Sequence, residues 1–150
     1  EDSNMKIVIV TGSAHRHGTT AALTIVQRGA ESAGHEVFRF DAAFKDVHPC
    51  IGCDKCVRTG ECTFEADDMK ELNRTSEADA VVFVSPIYYF DINAQLKAVI
   101  DRFYANNEAL MVKKKAVFLK IFDNVFITVF YESSCPRLNL CSKVTLCINI

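Results

Sequence analysis

Apolar residues follow two rhythms along this chain, and the points where one gives way to the other mark out its elements. Residues 6–10 are short, β-branched and apolar on both faces from Ile7 onward, the pattern of a central strand covered on each side by helices. From Thr20 the positions Leu23, Val26, Ala30 and Ala33 recur at helical spacing, Gly34 is placed to stop the helix, and residues 36–40 read as a second strand. Strand, helix and strand within about 35 residues form a βαβ unit with a right-handed crossover. Residues 41–66 lose both rhythms and contain Pro49, Gly52 and Gly60, which predicts an inserted loop. Asp68 is expected to cap a short helix, with Glu71 three residues later and Met69 and Leu72 starting its apolar face. Residues 80–84 form a third strand, ending in a loop over residues 85–90. Next, Ile92, Leu96, Val99, Ile100 and Phe103 trace one buried helical face. Residues 116–121 give a fourth strand. After residue 120 there is no Gly or Ala, and β-branched and aromatic residues crowd positions 125–131. Two arrangements remain open there: an antiparallel hairpin turning at Asp123-Asn124, or a fifth strand at residues 143–148.

Composition narrows the class. A chain of 150 residues, 49% hydrophobic and 24% charged, suits one domain spanning residues 1–150. Its formal charge of -2, with acids and bases interspersed, gives no basic field for nucleic acid. The apolar runs are far shorter than the roughly 20 residues of a spanning helix, and Glu1-Asp2-Ser3-Asn4 lacks the basic start of a signal peptide, so a cytoplasmic protein without a membrane partner is expected.

Thr11-Gly12-Ser13-Ala14-His15-Arg16-His17-Gly18-Thr19-Thr20 joins the first strand to the first helix. The first N–H groups of a helix have no internal partner, and the helix dipole adds positive charge, so such a turn is suited to an anion. Ser13, Thr19 and Thr20 can donate to phosphate oxygens, His15 and Arg16 offer positive charge, and Gly12 and Gly18 let the backbone approach. The spacing matches neither G-x-x-x-x-G-K-[ST] nor G-x-G-x-x-G, which favours a single phosphate over a triphosphate or a dinucleotide. The same hydroxyls also serve simply as helix caps.

Seven cysteines, an odd number, argue against a disulfide framework, and four of them stand as C-x2-C-x2-C-x5-C: Cys50, Cys53, Cys56 and Cys62. Compact runs of this kind hold iron–sulfur clusters, whereas structural zinc sites usually pair two short motifs across a longer spacer. A cysteine phosphatase is excluded, since no arginine stands six residues after any of the four. Four reduced thiols shaping a loop are the plain alternative.

Taken together, the residue 12–20 loop, the cysteine run followed by Asp67-Asp68-Met69, and Ser85-Pro86-Ile87-Tyr88-Tyr89 with Gln95-Leu96-Lys97 resemble the NADPH-dependent FMN reductase and iron–sulfur flavoprotein family over about residues 5–120. The resemblance implies an α/β fold, a flavodoxin-like doubly wound parallel sheet in three α/β/α layers, here with an atypical or truncated C-terminal part. FMN is then expected at the carboxyl ends of strands one, three and four. It places Ser13, His15, Thr19 and Thr20 on the FMN phosphate, with Arg16 in a cationic role and Gly18 in the same loop. Pro86, Ile87, Tyr88 and Tyr89 fall beside the isoalloxazine. The implied activity is an FMN oxidoreductase drawing hydride from NAD(P)H and passing electrons to a small-molecule acceptor or a redox protein. No catalytic side chain is assigned, because the flavin carries the chemistry. The alternative is an electron carrier with a 4Fe–4S cluster on Cys50, Cys53, Cys56 and Cys62. A homodimer is expected, through the cysteine loop or residues 125–131.

Overall fold

The computed structural model describes residues 4–15, 19–64, 66–106, 115–122 and 125–132. Its sheet runs in the order β2-β1-β3-β5-β6, built from Lys6–Thr11 (β1), Glu36–Asp41 (β2), Ala80–Tyr88 (β3), Lys115–Phe122 (β5) and Val125–Glu132 (β6). The first four of these are parallel, with Val10 opposite Phe40 on one side and Phe83 on the other, and Val81 opposite Ala116. This is the expected doubly wound arrangement. Chain order reverses between β1, which is followed by β2 on one flank, and β3 on the other. The crevice beyond the carboxyl ends of β1 and β3 is therefore the place where open α/β sheets take ligands.

The all-apolar reading of the central strands is explained by burial on both faces. Val8, Val10, Val81 and Phe83 pack under Leu96 and Val99 of one helix, under Phe103 just after it, and under Met69 and Leu72. Ile9, Val82 and Val84 turn to the opposite face and meet Leu23 of the first helix. Those helices are Thr19–Ser32 (α1) and Ala94–Arg102 (α3), giving the three layers. Gly34 ends α1 as expected: at φ 85 it lets its own N–H reach the Glu31 carbonyl and the His35 N–H reach that of Ala30.

Three expectations change in detail, and one open choice is decided. The segment after the cysteines, Asp68–Glu77, is a 3-10 helix rather than an α-helix, and Asp67 caps it, accepting from the Met69 N–H at 3.1 Å. The Asp68 carboxylate instead accepts from the Asp46 N–H at 2.8 Å across the neck of the inserted loop, which is why it does not cap. That loop is not featureless, because Lys55–Thr59 form a short helix (α2) carrying Cys56. Residues 85–88 continue β3 instead of leaving it as a loop, since Ile87 and Tyr88 pair antiparallel with Ile92 and Asp91 of a two-residue strand, Asp91–Ile92 (β4). Finally, β6 takes the hairpin alternative, antiparallel to β5 with Phe122 opposite Val125. Asp123, Asn124 and residues 143–148 lie outside the described residues.

Candidate functional site

The crevice between β1 and β3 is held by one buried network. Gly12, leaving β1, donates its N–H to the Val84 carbonyl of β3 at 2.9 Å. Its own carbonyl accepts from Nδ2 of Asn93, the N-cap residue of α3, which is only 3% exposed. Ser85 Oγ accepts from the Asn93 N–H at 3.0 Å, and its proton goes to Asn93 Oδ1 at 3.1 Å or to the Pro86 carbonyl at 2.7 Å. Asn93 therefore ties the turn after β1 to the end of β3 and to the start of α3. Gly12 is required for this packing: a Cβ there would lie 2.0 Å from Asn93 Oδ1 and 2.8 Å from Leu96 Cβ.

The turn itself is arranged around Ser13, whose side chain is buried. Its N–H donates to Thr11 Oγ1, and its Oγ accepts from the His15 N–H, both at 3.2 Å. Among the described residues the hydroxyl proton faces the His15 carbonyl at 3.4 Å, long for an O–H donor, so a phosphate oxygen would compete for it well. His15 is exposed at the mouth, and Thr19 and Thr20 open α1, which places the helix amino end at the turn. Arg16 and Gly18 lie outside the described residues. A phosphate fits this turn on two counts: a buried hydroxyl whose donor contact among the described residues is long, and a helix start.

Pro86 and Ile87 continue β3 beside the same crevice, Pro86 buried and Ile87 half-buried. The tip that follows has two consecutive residues in the left-handed region, Tyr89 at φ 49 and Phe90 at φ 76, as a two-residue hairpin between β3 and β4 demands. Their rings touch edge to face at 5.4 Å and stand 96% and 91% exposed; Tyr88 is half-exposed. None of the three packs into the core. Bulky residues in this region cost free energy and persist mostly where function holds them.

The second candidate centre is the cysteine loop. Cys50, Cys53, Cys56 and Cys62 are all free thiols and line one cavity, with Phe64 and Arg102 in its wall. Gly52 at φ 63, Asp54 at φ 54 and Gly60 at φ 77 turn the chain around this cavity. In donor type and number the four suit an iron–sulfur cluster. Among the described residues, no three His, Cys, Asp or Glu side chains stand close enough to hold a metal ion as they are.

A ladder closes the neck of this loop. Lys45 pairs with Glu71 at 2.7 Å, the Asp68 N–H reaches the Asp46 carbonyl at 2.9 Å, and the His48 N–H reaches Asp67 Oδ2 at 3.2 Å. Innermost is the Arg102–Asp67 pair, both side chains buried. Arg102 also donates to the His48 carbonyl at 2.8 Å and the Phe64 carbonyl at 3.0 Å. Its guanidinium lies 5.3 Å from the Phe64 ring centre, and that ring stacks on His48 at 4.8 Å. Asn93, Asp67 and Arg102 were not indicated as site residues by sequence reasoning. For Asn93 a signal was present, a polar N-cap directly after the β3 loop; Asp67 stood in the motif that follows the cysteines, but for its pairing with Arg102, 35 positions away, there was none.

Comparison with known proteins gives the chain's family. Residues 5–123 match the NADPH-dependent FMN reductase family model. An iron-sulfur flavoprotein of Archaeoglobus fulgidus is 39% identical over 100 residues, covering 65% of this chain and 45% of that protein. One from Methanocaldococcus jannaschii is 35% identical over 102 residues, covering 65% and 51%. An NAD(P)H:quinone oxidoreductase from Methanothermobacter marburgensis has a similar fold, with TM-score 0.54, 23% identity, and coverage of 68% of this chain and 54% of that one. The chain spans about half the length of the curated relatives it matches. It belongs to the NADPH-dependent FMN reductase family.

Proposed function

Starting from that membership, we propose that the chain binds FMN in the β1/β3 crevice and acts as an NAD(P)H-dependent oxidoreductase delivering electrons to a quinone, a free flavin or a redox protein. The observation that carries the reading is the Gly12–Asn93–Ser85 network, which sets a hydroxyl-lined turn and a helix start at the point where the strand order reverses. Bound FMN would supply the hydride and electron chemistry; the chain's part is to bind, orient and exclude water. Ser13 and the start of α1 receive the phosphate. Pro86 and Ile87 offer a flat, largely apolar edge to the ring, and Tyr88 and Tyr89 stand ready to cover it. Purified protein is expected to take up FMN at micromolar concentration with a shifted visible spectrum and then oxidise NAD(P)H. Absence of flavin binding would sink the proposal.

A second reading is favoured by the four thiols facing one cavity and by the iron-sulfur flavoproteins among the relatives. In it, Cys50, Cys53, Cys56 and Cys62 hold a 4Fe–4S cluster that exchanges single electrons with the flavin and a partner protein. Anaerobic iron and sulfide analysis separates the two: stoichiometric iron, with flavin reduced by a ferredoxin but not by NAD(P)H, selects the carrier. Free thiols at this chemistry suit the reducing cytoplasm. We also propose a homodimer, through the cysteine loop or β6, whose pairing among the described residues is with β5 alone. Light scattering across a concentration series tests it, and a constant monomer mass would contradict it.

A further inference from the structure

The neck of the cysteine loop is crossed by a side chain that belongs to neither of its strands. Arg102 comes from the last turn of α3, yet its guanidinium meets the loop on both sides: the His48 carbonyl before the cysteines, and the Phe64 carbonyl and both Asp67 oxygens after them. Asp67 is in turn saturated, accepting from the backbone N–H groups of His48 and Met69. A planar fork with five donors suits this spanning task, whereas an ammonium, a single point charge, does not. The same guanidinium forms part of the wall of the four-thiol cavity. Nine residues earlier, α3 begins at Asn93 in the flavin crevice. One short helix thus touches both centres, one at each end, about 14 Å apart along its axis at 1.5 Å per residue.

We propose that Arg102, through its pair with Asp67, is a positioning residue for the four-thiol pocket: it closes the loop neck before any metal arrives and fixes the pocket to α3, and so to the flavin crevice. The local consequence is a set of thiols of unequal access, with Cys50 and Cys53 exposed and Cys56 and Cys62 half-buried. If the neck opens, the loop loses its fixed path and that inequality goes with it.

The test uses the full chain in three forms: wild type, Arg102→Lys, and the double variant Asp67→Leu/Arg102→Met. The double variant removes both charges together, so no buried charge is left unpaired. FMN titration of each form shows that the fold is retained. Alkylation by a small iodoacetamide reagent, followed residue by residue in the metal-free protein, reads the pocket. In wild type, Cys56 and Cys62 are expected to react more slowly than Cys50 and Cys53; in both variants the four rates are expected to converge. Unchanged rates in a variant that still binds FMN would overturn the proposal. A second arm rests on the cluster reading of the previous subsection. After anaerobic reconstitution, loss of iron to a chelator is expected to be about 10-fold faster in the variants, the lower end of the effect of losing support around a metal site, because the pair holds the loop and not a thiol directly. Wild type that takes up no iron defeats the cluster reading and leaves the alkylation result standing. Should the variants fail to fold, amide exchange in wild type decides instead. The His48 N–H, bonded to Asp67, is expected to exchange with the slow amides of α3, and exchange at the rate of residues 50–62 would overturn the proposal.

Discussion

At its amino end α3 meets the β1/β3 crevice through neutral hydrogen bonds woven into the sheet; at its carboxyl end it meets the cysteine loop through a buried ion pair and two carbonyls. The first junction joins strands that are already hydrogen-bonded neighbours, so its parts are positioned twice over. The second spans chain segments with no sheet between them, and much of its order depends on one guanidinium. The lesson is that the two centres of this domain should fail differently: the crevice by steric intrusion, the loop by loss of charge balance.

Removing one partner of the ion pair gives the largest effect. Arg102→Met leaves Asp67 buried and unpaired, and is expected to cost about 3–5 kcal/mol in urea unfolding. The double variant with Asp67→Leu should recover most of this stability. A single variant as stable as wild type would show that the loop neck does not depend on the pair.

Gly12→Ala attacks the other junction without touching any charge. A methyl group 2.0 Å from Asn93 Oδ1 must push α3 away from the sheet. A cost of about 3 kcal/mol is expected, at the upper end for overpacking, and FMN binding should go with it. Retention of wild-type FMN affinity would place the flavin elsewhere.

How much of this could be read from the residues differs between the centres for a physical reason. The crevice is local: an apolar strand, a hydroxyl-lined turn and a helix start follow one another in sequence, so strand and helix periodicities located it. The parallel sheet was legible too, because β1 and β3 are buried on both faces and therefore wholly apolar. The cysteine spacing picked out the thiols that line the loop cavity but not what holds the loop, since Asp67 and Arg102 meet only through the fold. The adjacent carboxylates at 67 and 68 illustrate the same limit. Either could cap the following helix by composition, and the position of Arg102 and of the Asp46 N–H decides which one does. The tight β3–β4 turn was hidden for another reason: Tyr89-Phe90 is not a pair that favours two consecutive left-handed residues.

That turn offers a change of opposite sign. Phe90→Gly relieves a left-handed conformation in an exposed residue, and against this Gly adds freedom to the unfolded chain. A net gain of about 0.5–1 kcal/mol is expected, or a Tm rise of about 2 °C. If the exposed ring helps to cover the flavin, the same variant binds FMN more weakly, which separates strain kept for function from strain kept for none. No change in either quantity would show that the Phe90 conformation carries neither strain nor a part in flavin binding.

The smallest effect belongs to the outermost rung of the loop ladder. Lys45 has its pKa raised above the ordinary 10.5, first by its hydrogen bond to Glu71 and further by the negative field of that carboxylate and of Asp68 and Asp41, against a smaller opposing effect of burial. A raised lysine pKa means that the folded state holds the proton more tightly than the unfolded one. The contribution is therefore complete below pH 10.5 and is lost as pH rises through the higher folded value. Glu71→Gln removes the cause. Compared with wild type, it should lower Tm slightly at neutral pH, and the difference should shrink once pH exceeds the folded lysine value. The pair is partly exposed and salt-screened, so added salt should shrink it as well. Salt should leave the effect of breaking Arg102–Asp67 almost untouched, because that pair is shielded from solvent ions. Equal salt sensitivity of the two rungs would mean that the inner pair is open to water, and the contrast between the two ends of α3 would no longer hold.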